Sequence, residues 1–415
     1  MTTTTSPART VTARRVVVVA ALVLAAAVAH VWYGNRHGFF DLRIYWEAVR
    51  WWGSGHDLYS YARPDKVQGS LGFTYPPFAA LLLRPLALLP FDAAAGVFTA
   101  VSVVALALAT YWLLAPVADR HGWPRWFALA VALPLVSWLE PIRETITFGQ
   151  INAVLALLVV GDLLVATPRK WRLAGAGVGL ATAIKLTPAI FIVYLLLTRR
   201  WRAAITATAA AAAATIVAAA IDWRDSWRFW TSTVWDTNRV GPNLGRLQNQ
   251  SLLGTLARVT GGQPSRTLWA VLVVAVLAYG LARARRAALA GDETTGLTLT
   301  GFVGGLVSPV TWSHHLFWFV PALVVLVDVA ATRGAPGRGR AGVLAAVVYA
   351  TVVVSLISWY EWHLAPRTWD HGVPGFMIDN WYVLLILILL AALPIRAPDA
   401  DPVAKPTSRQ DVAVS

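Results

Sequence analysis

Long apolar runs separated by short polar links make up almost the whole chain. The first run, Val16 to Val31, follows Arg14 and Arg15 and predicts a helix ending near Tyr33. No small-residue cleavage site follows it, so it reads as a retained helix and not a leader. Later runs predict helices near Ala93–Leu114, Trp126–Leu139, Ile151–Ala166, 203–221, Thr267–Ala284, Leu297–Pro309, Leu316–Ala331, Ala341–Ser358 and Trp381–Pro394. In hydrocarbon a helix satisfies every backbone group internally, which makes such runs spans. Residues 78–90 are too short to span comfortably and carry Arg84-Pro85, which predicts a juxtamembrane hairpin. Residues 173–197 are apolar but have basic clusters, PRKWR and TRRWR, at both ends. Two short helices broken at Lys185-Leu-Thr-Pro188 put both clusters on one side, with Lys185 buried at the vertex.

The basic links order the topology. Arg9, Arg14 and Arg15 place the start of the first helix in the cytoplasm, and the links ARARR and RGAPGRGR follow the same rule. The result is an all-α polytopic membrane protein of about twelve transmembrane helices with both termini inside. Residues 14–396 form one domain between disordered tails, 1–13 and 397–415. Loops near 34–92, 140–150, 222–266 and 359–380 lie outside. Four polar segments, 38–77, 140–152, 222–251 and 308–315, therefore share one face.

Composition narrows the class. The 415 residues are 57% hydrophobic and 13% charged, against about 25% charged in soluble domains. The net charge of +14 sits mostly in the links, so it marks cytoplasmic loops and not a nucleic-acid surface. With no cysteine, disulfides, thiolate catalysis and zinc–thiolate sites are excluded. The 21 tryptophans suit interfacial belts, and those in polar loops have faces that suit sugar rings. No Walker loop or GxGxxG follows a strand, so soluble nucleotide-sugar machinery is not indicated.

Candidate chemistry concentrates in Gly38–Pro77. Asp41, in FFDLRIY, sits beside aromatics just past the first helix. That setting raises a carboxyl pKa and suits a general base; a helix cap or a pair with Arg36 or Arg43 is the structural alternative. Asp57 sits in a Gly55-His56-Asp57 turn and is the weaker candidate. Lys185 suits a lipid phosphate as a point charge, or it satisfies a broken helix end. Arg143 either pairs with Glu144 or contacts phosphate. His314 and His315 point about 100° apart if helical, so together they suit phosphate better than a metal. Asn249-Gln250-Ser251 offers sugar-binding groups or, equally, the cap of a short helix. These residues indicate an enzyme or transporter with a polar cavity at the bilayer edge, without naming a substrate.

The order of several motifs adds to this reading. They are Asp41-Leu-Arg-Ile-Tyr45, Leu58-Tyr59, Phe73-Thr-Tyr-Pro-Pro77, Leu139-Glu-Pro-Ile142, Phe148-Gly-Gln-Ile-Asn152 and Lys185-Leu-Thr-Pro188. Trp223-Arg-Asp-Ser-Trp227, Asn249-Gln-Ser251 and Ser308-Pro-Val-Thr-Trp-Ser-His-His315 follow. Together they resemble glycosyltransferase family 87, and more closely its actinobacterial polyprenyl-phosphomannose-dependent α-(1→2)-mannosyltransferases. The resemblance implies a GT-C fold with its active site on the extracytoplasmic side of the plasma membrane. It implies Asp41 as base, and Lys185 and one of His314 and His315 at the donor phosphate, with Arg143 a further candidate from its own chemistry. Sugar and acceptor contacts would come from Asp57, Tyr59, Tyr75, Gln150, Asn152, Asn249, Gln250 and Trp312. Some relatives have a second acid two places after the catalytic one; Arg43 stands there, which argues against a two-carboxylate or metal-bridged site.

The implied donor is polyprenyl-phosphate-mannose. The implied acceptor is a mannosylated glycolipid, namely a phosphatidylinositol mannoside, lipomannan or lipoarabinomannan. The reaction would be one inverting displacement, in a monomer that needs no cofactor beyond the lipid donor, with no metal assigned. Transfer of arabinofuranose or another polyprenyl-linked sugar is the alternative within the family. Transport of such a lipid is the alternative outside it.

Overall fold

The computed structural model describes residues 7–65, 69–236, 243–358 and 372–396, and it is mostly helical. Helix α1 (Pro7–Tyr33) starts well before the apolar run. Proline suits a first helical position and nothing after it stops the helix, so residues 7–13 are helical where a disordered tail was expected. Residues 1–6 and the tail from 397 lie outside the described residues. The segment after α1, expected to be external, carries amphipathic α2 (Phe40–Gly53), a hairpin of β1 (Arg63–Asp65) and β2 (Gly69–Leu71), and α3 (Pro77–Ala87). The hairpin is antiparallel and pairs Arg63 with Leu71. It is a local exception to the all-α expectation. At eleven residues, α3 is a short apolar helix that runs on through Arg84-Pro85, where a juxtamembrane hairpin was expected.

The bundle continues with α4 (Phe91–Arg120), α5 (Arg125–Ser137), α6 (Glu140–Phe148) and α7 (Asn152–Gly161). Next come α8 (Ala176–Ile184), α9 (Ile190–Leu197), α10 (Trp201–Ile221), α11 (Trp223–Thr231) and α12 (Leu252–Val259). It closes with α13 (Arg266–Leu289), α14 (Glu293–Val307), α15 (Phe319–Ala331), α16 (Arg338–Val354), α17 (Gly372–Asp379) and α18 (Trp381–Ala392). Residues 359–371 of the expected last external loop lie outside the described residues.

Among the described residues, α1, α4, α10 and α13 are long and apolar enough to cross a membrane. The count rises to six if α5–α6, bent by 72°, and α17–α18, bent by 75°, each count as one span. About twelve were expected. The difference arises because breaks shorten several runs: Pro141 opens α6 beyond an extended Leu139, and α8 stops ahead of Pro188. Val17, Leu24, Val28 and Val31 of α1 are exposed, a surface that hydrocarbon and not water would cover.

Helix pairs α13–α14, α8–α10, α15–α16 and α4–α7 build the bundle. A Cβ on Gly179 of α8 would lie 2.2 Å from the Ala207 carbonyl oxygen of α10, so glycine sets that spacing. At the end opposite the polar loops, Arg396 binds both Asp292 and Asp328, and Asp328 also binds Arg120 and His121. These paired buried charges tie α4, α14, α15 and the chain after α18 together. Breaking such pairs by removing one partner costs stability.

Candidate active site

The site forms where helices begin, end or break. Phe39, ahead of α2, has left-handed backbone (φ 53°), and its N–H donates to the Thr147 carbonyl of α6 at 2.9 Å. Gly149, just past α6, also has positive φ (71°), and a Cβ on it would lie 2.5 Å from Cβ of Leu42. Glycine alone meets both demands. The start of α2 and the α6–α7 turn are therefore locked together, which brings Gln150 against Asp41.

Asp41 is partly buried in the first turn of α2, where the helix dipole favours a carboxylate. It accepts a hydrogen bond from Gln150 Nε2. Burial pushes its carboxyl up to about 6, against the Gln150 bond and the nearby Lys185 charge, which both pull it down. Such a group is mostly ionised at neutral pH yet basic enough to take a proton. Arg43 turns away and lies 3.7 Å over the Phe91 ring.

From Asp41 a polar relay runs inward. Gln150 Oε1 accepts from Tyr75 Oη at 3.0 Å, and Tyr75 Oη lies 2.8 Å from Tyr45 Oη. Tyr59 is buried and donates to the Tyr75 carbonyl at 2.8 Å, so it supports the relay from behind. Tyr75 Oη also accepts from Lys185 Nζ at 3.4 Å. Lys185 stands where α8 ends, with extended backbone (φ −150°, ψ 133°) and only 8% exposure. Its ammonium donates to Asn152 Oδ1 at 3.1 Å.

The same ammonium lies 3.0 Å from His315 Nε2. His315 Nδ1 accepts from the Trp312 backbone N–H at 3.2 Å, which leaves a neutral ring protonated at Nε2. A protonated Lys185 and this N–H then point at one another. A bound anion would turn that repulsive pair into a clamp.

His314 faces elsewhere, its ring 85° from that of His315. Its carbonyl accepts from Asn152 Nδ2 at 2.8 Å, and its Nδ1 lies 3.9 Å from Glu144. His315, and not His314, therefore joins Lys185.

Other residues singled out from sequence stand apart. Arg143 donates to the Trp138 and Val353 carbonyls and to Ser355, and it lies 4.6 Å over the Tyr33 ring. These contacts brace α6 against the chain after α16 and are not made to the Lys185 group. Asp57 is exposed and lies 3.6 Å from Arg228. Asn249 and Gln250 are fully buried. Asn249 bonds the Leu244 and Pro309 carbonyls and the Thr311 N–H; Gln250 bonds the Leu247 and Asp379 carbonyls and the N–H of Tyr382. Their amides are spent on backbone, which corrects the expectation of sugar contacts. Ser251 caps α12 through the Gly254 N–H, the alternative the sequence left open. Trp312 contributes its backbone N–H, not its ring, to the group.

Sequence reasoning missed Tyr45, although it lies four residues after Asp41 on the same helix face. It also missed buried Glu140, which accepts from Tyr382 and Ser358. Among the described residues no three His, Asp or Glu side chains group to hold a metal.

Residues 73–309 match the family described as Glycosyltransferase family 87. A Mycobacterium tuberculosis protein, "Polyprenol-phosphate-mannose-dependent alpha-(1-2)-phosphatidylinositol mannoside mannosyltransferase", is 34% identical over 391 residues, covering 88% of this chain and 87% of its own. A Mycolicibacterium smegmatis protein of the same description is 38% identical, covering 71% of this chain and 70% of its own. A second M. smegmatis protein, described as acting on phosphatidylinositol pentamannoside, is 31% identical, covering 86% and 84%. No solved structure matches.

Proposed function

The chain belongs to glycosyltransferase family 87, and on that premise we propose that it transfers mannose from polyprenyl-phosphate-mannose to a phosphatidylinositol mannoside or a related mannosylated lipoglycan. The linkage formed is α-(1→2). The protein works as a multi-pass enzyme of the plasma membrane, with its site on the extracytoplasmic side. The observation that carries this reading is the relay joining the Asp41 carboxylate to the Lys185–His315 donor pair. A carboxylate near an ammonium and an imidazole N–H donor is what a sugar phosphate donor and a hydroxyl acceptor need together.

In the proposed reaction Asp41 takes the proton of the acceptor 2-hydroxyl. The oxygen forms a bond to C1 of β-mannosyl phosphopolyprenol as the C1–O bond to phosphate breaks. Polyprenyl phosphate leaves with the electron pair, and Asp41 then loses its proton to water. One inversion turns the β linkage into α. Lys185 and the Nε2–H of His315 meet the charge that grows on the phosphate, where aligned donors act most strongly. A phosphate leaving group so held needs no acid, so one carboxylate suffices.

The test is transfer from purified polyprenyl-phosphate-mannose to a mannoside acceptor, wild type beside Asp41→Asn. The expected result is product from wild type and a drop of at least about a hundredfold in the variant. Equal rates would remove Asp41 as base. Wild-type transfer only from polyprenyl-linked arabinofuranose would replace the donor sugar and leave the chemistry.

A further inference from the structure

Helix α11 turns a carboxylate and a hydroxyl inward and three indoles outward. Asp225, Ser226 and Phe229 are buried, while Trp223, Trp227 and Trp230 are exposed. At about 100° per residue the three indoles fall within an arc of about 60°. Arg224 and Arg228, also exposed, occupy a second sector, and the buried residues a third. Trp223 and Trp227 stack with ring centroids 5.6 Å apart. Trp235 folds back to donate its indole N–H to the Trp230 carbonyl at 3.1 Å. A contiguous exposed apolar face of this kind marks a contact surface. Just before it, α10 is long and apolar enough to cross a membrane, and it leaves Ile216, Val217 and Ile221 exposed near its end. The apolar surface of that span therefore runs on into the indole face of α11.

We propose that α11 lies in the headgroup–acyl boundary of the bilayer, its indoles against lipid and its arginines toward phosphates and water, and that its third face sets the depth of the segment carrying Tyr59 and Tyr75. The inference goes beyond the reaction proposed above and does not depend on its donor or acceptor. Indoles suit this boundary because each has an apolar body and one polar N–H. A basic flank beside an apolar face is the pattern of helices that lie in the interface plane. A sugar platform would instead need hydroxyl partners among the rings. Asp225 and Ser226 face the other way, and Asp222 spends its carboxylate on the Trp52 indole at 2.8 Å and the Asp225 N–H at 3.1 Å. The protein-facing sector grips the first polar segment. Asp225 accepts from the Leu58 N–H at 2.7 Å, Phe229 stacks on Tyr59 at 5.6 Å, and Tyr59 bonds the Tyr75 carbonyl. The bilayer boundary is thereby tied to the relay at Tyr75.

The chain has no cysteine, so a single spin label is simple to place. Trp227→Cys and Arg224→Cys are labelled in nanodiscs of phosphatidylglycerol and phosphatidylcholine, with Trp230→Cys in reserve should Trp227→Cys fail to fold. Power saturation then compares oxygen with a water-soluble nickel chelate. The label at 227 should be reached by oxygen and shielded from nickel, and the label at 224 the reverse. Nickel reaching both equally, in variants that keep their melting temperature, would overturn the proposal. So would shielding at 227 that appears only when a soluble oligomannoside is added, which would make the face a sugar platform. The depth setting is read from transfer. Trp223→Ser combined with Trp227→Ser should lower it about tenfold in nanodiscs, with little change in detergent micelles, which have no fixed boundary. A loss as large in detergent, or none in nanodiscs, would overturn the coupling. If wild type transfers no sugar, the proposed function fails, and the spin-label contrast still decides where α11 lies.

Discussion

Gln150→Ala is the sharpest probe of the proposed base, because it alters the proton affinity of Asp41 without touching Asp41. Gln150 Nε2 donates to the carboxylate and so favours its ionised form. A hydrogen bond to a charged group is worth about 1.5–3 kcal/mol, and about 1.4 kcal/mol shifts a pKa by one unit. Removing the donor while burial remains should lift Asp41 from about 6 to roughly 7–8. At pH 7 the ionised fraction then drops from roughly nine-tenths to between a half and a tenth. The assay is kcat/KM against pH, which reports the free enzyme's essential base. Wild type should lose activity as pH falls through about 6. The variant should lose it one to two units higher and regain most of the deficit at about pH 9. Gln150→Glu still offers Tyr75 an acceptor but adds a second negative charge, so its acidic limb should move further. An acidic limb that stays put, or an equal loss at every pH, would refute the assignment and leave Gln150 as a packing residue.

Asp41→Asn also tests stability. The folded carboxyl titrates near 6, above its ordinary 3.8. Between those values the folded protein holds a proton the unfolded chain has lost, so stability falls as pH rises through that window. At pH 7.5 the variant should therefore melt at the same temperature or higher; a lower melting temperature would make Asp41 a structural cap. Lys185→Ala and His315→Ala should each weaken polyprenyl phosphate binding by about tenfold or more. The double variant should lose less than the product of the two, and strict additivity would mean that they do not share one phosphate. Gly149→Ala puts a Cβ 2.5 Å from Leu42 in left-handed backbone. It should lower melting temperature and transfer together, and wild-type values for both would remove this turn as the device that seats Gln150.

Some of this was legible from residue chemistry. A lysine in an apolar run and an aspartate at a lipid boundary are costly enough to single themselves out, and Pro188 foretold the break that exposes the end of α8. Other parts depended on tertiary placement. Asn249 and Gln250 look as polar in sequence as Gln150 and Asn152, yet backbone from distant segments consumes the first pair. His314 and His315 could be separated by direction, but the choice needed the Trp312 N–H that fixes the His315 tautomer. The expected count of about twelve spans is not confirmed for a related reason: composition registers apolar length, not the 72° bend between α5 and α6.

That bend and the other interruptions belong to the site itself. Asp41 stands at the start of α2, Gln150 and Asn152 flank the α6–α7 turn, Lys185 ends α8, and His315 lies in the link between α14 and α15. Within a membrane, irregular backbone is tolerated only where it faces protein or a cavity. A chain that must gather polar groups near hydrocarbon is therefore driven to place them at helix ends, where unpaired backbone groups already require company. The same breaks that shorten the apparent spans bring these four distant segments to one relay. A continuous helix in place of the Lys185 break would gain backbone hydrogen bonds and lose the ammonium from the relay.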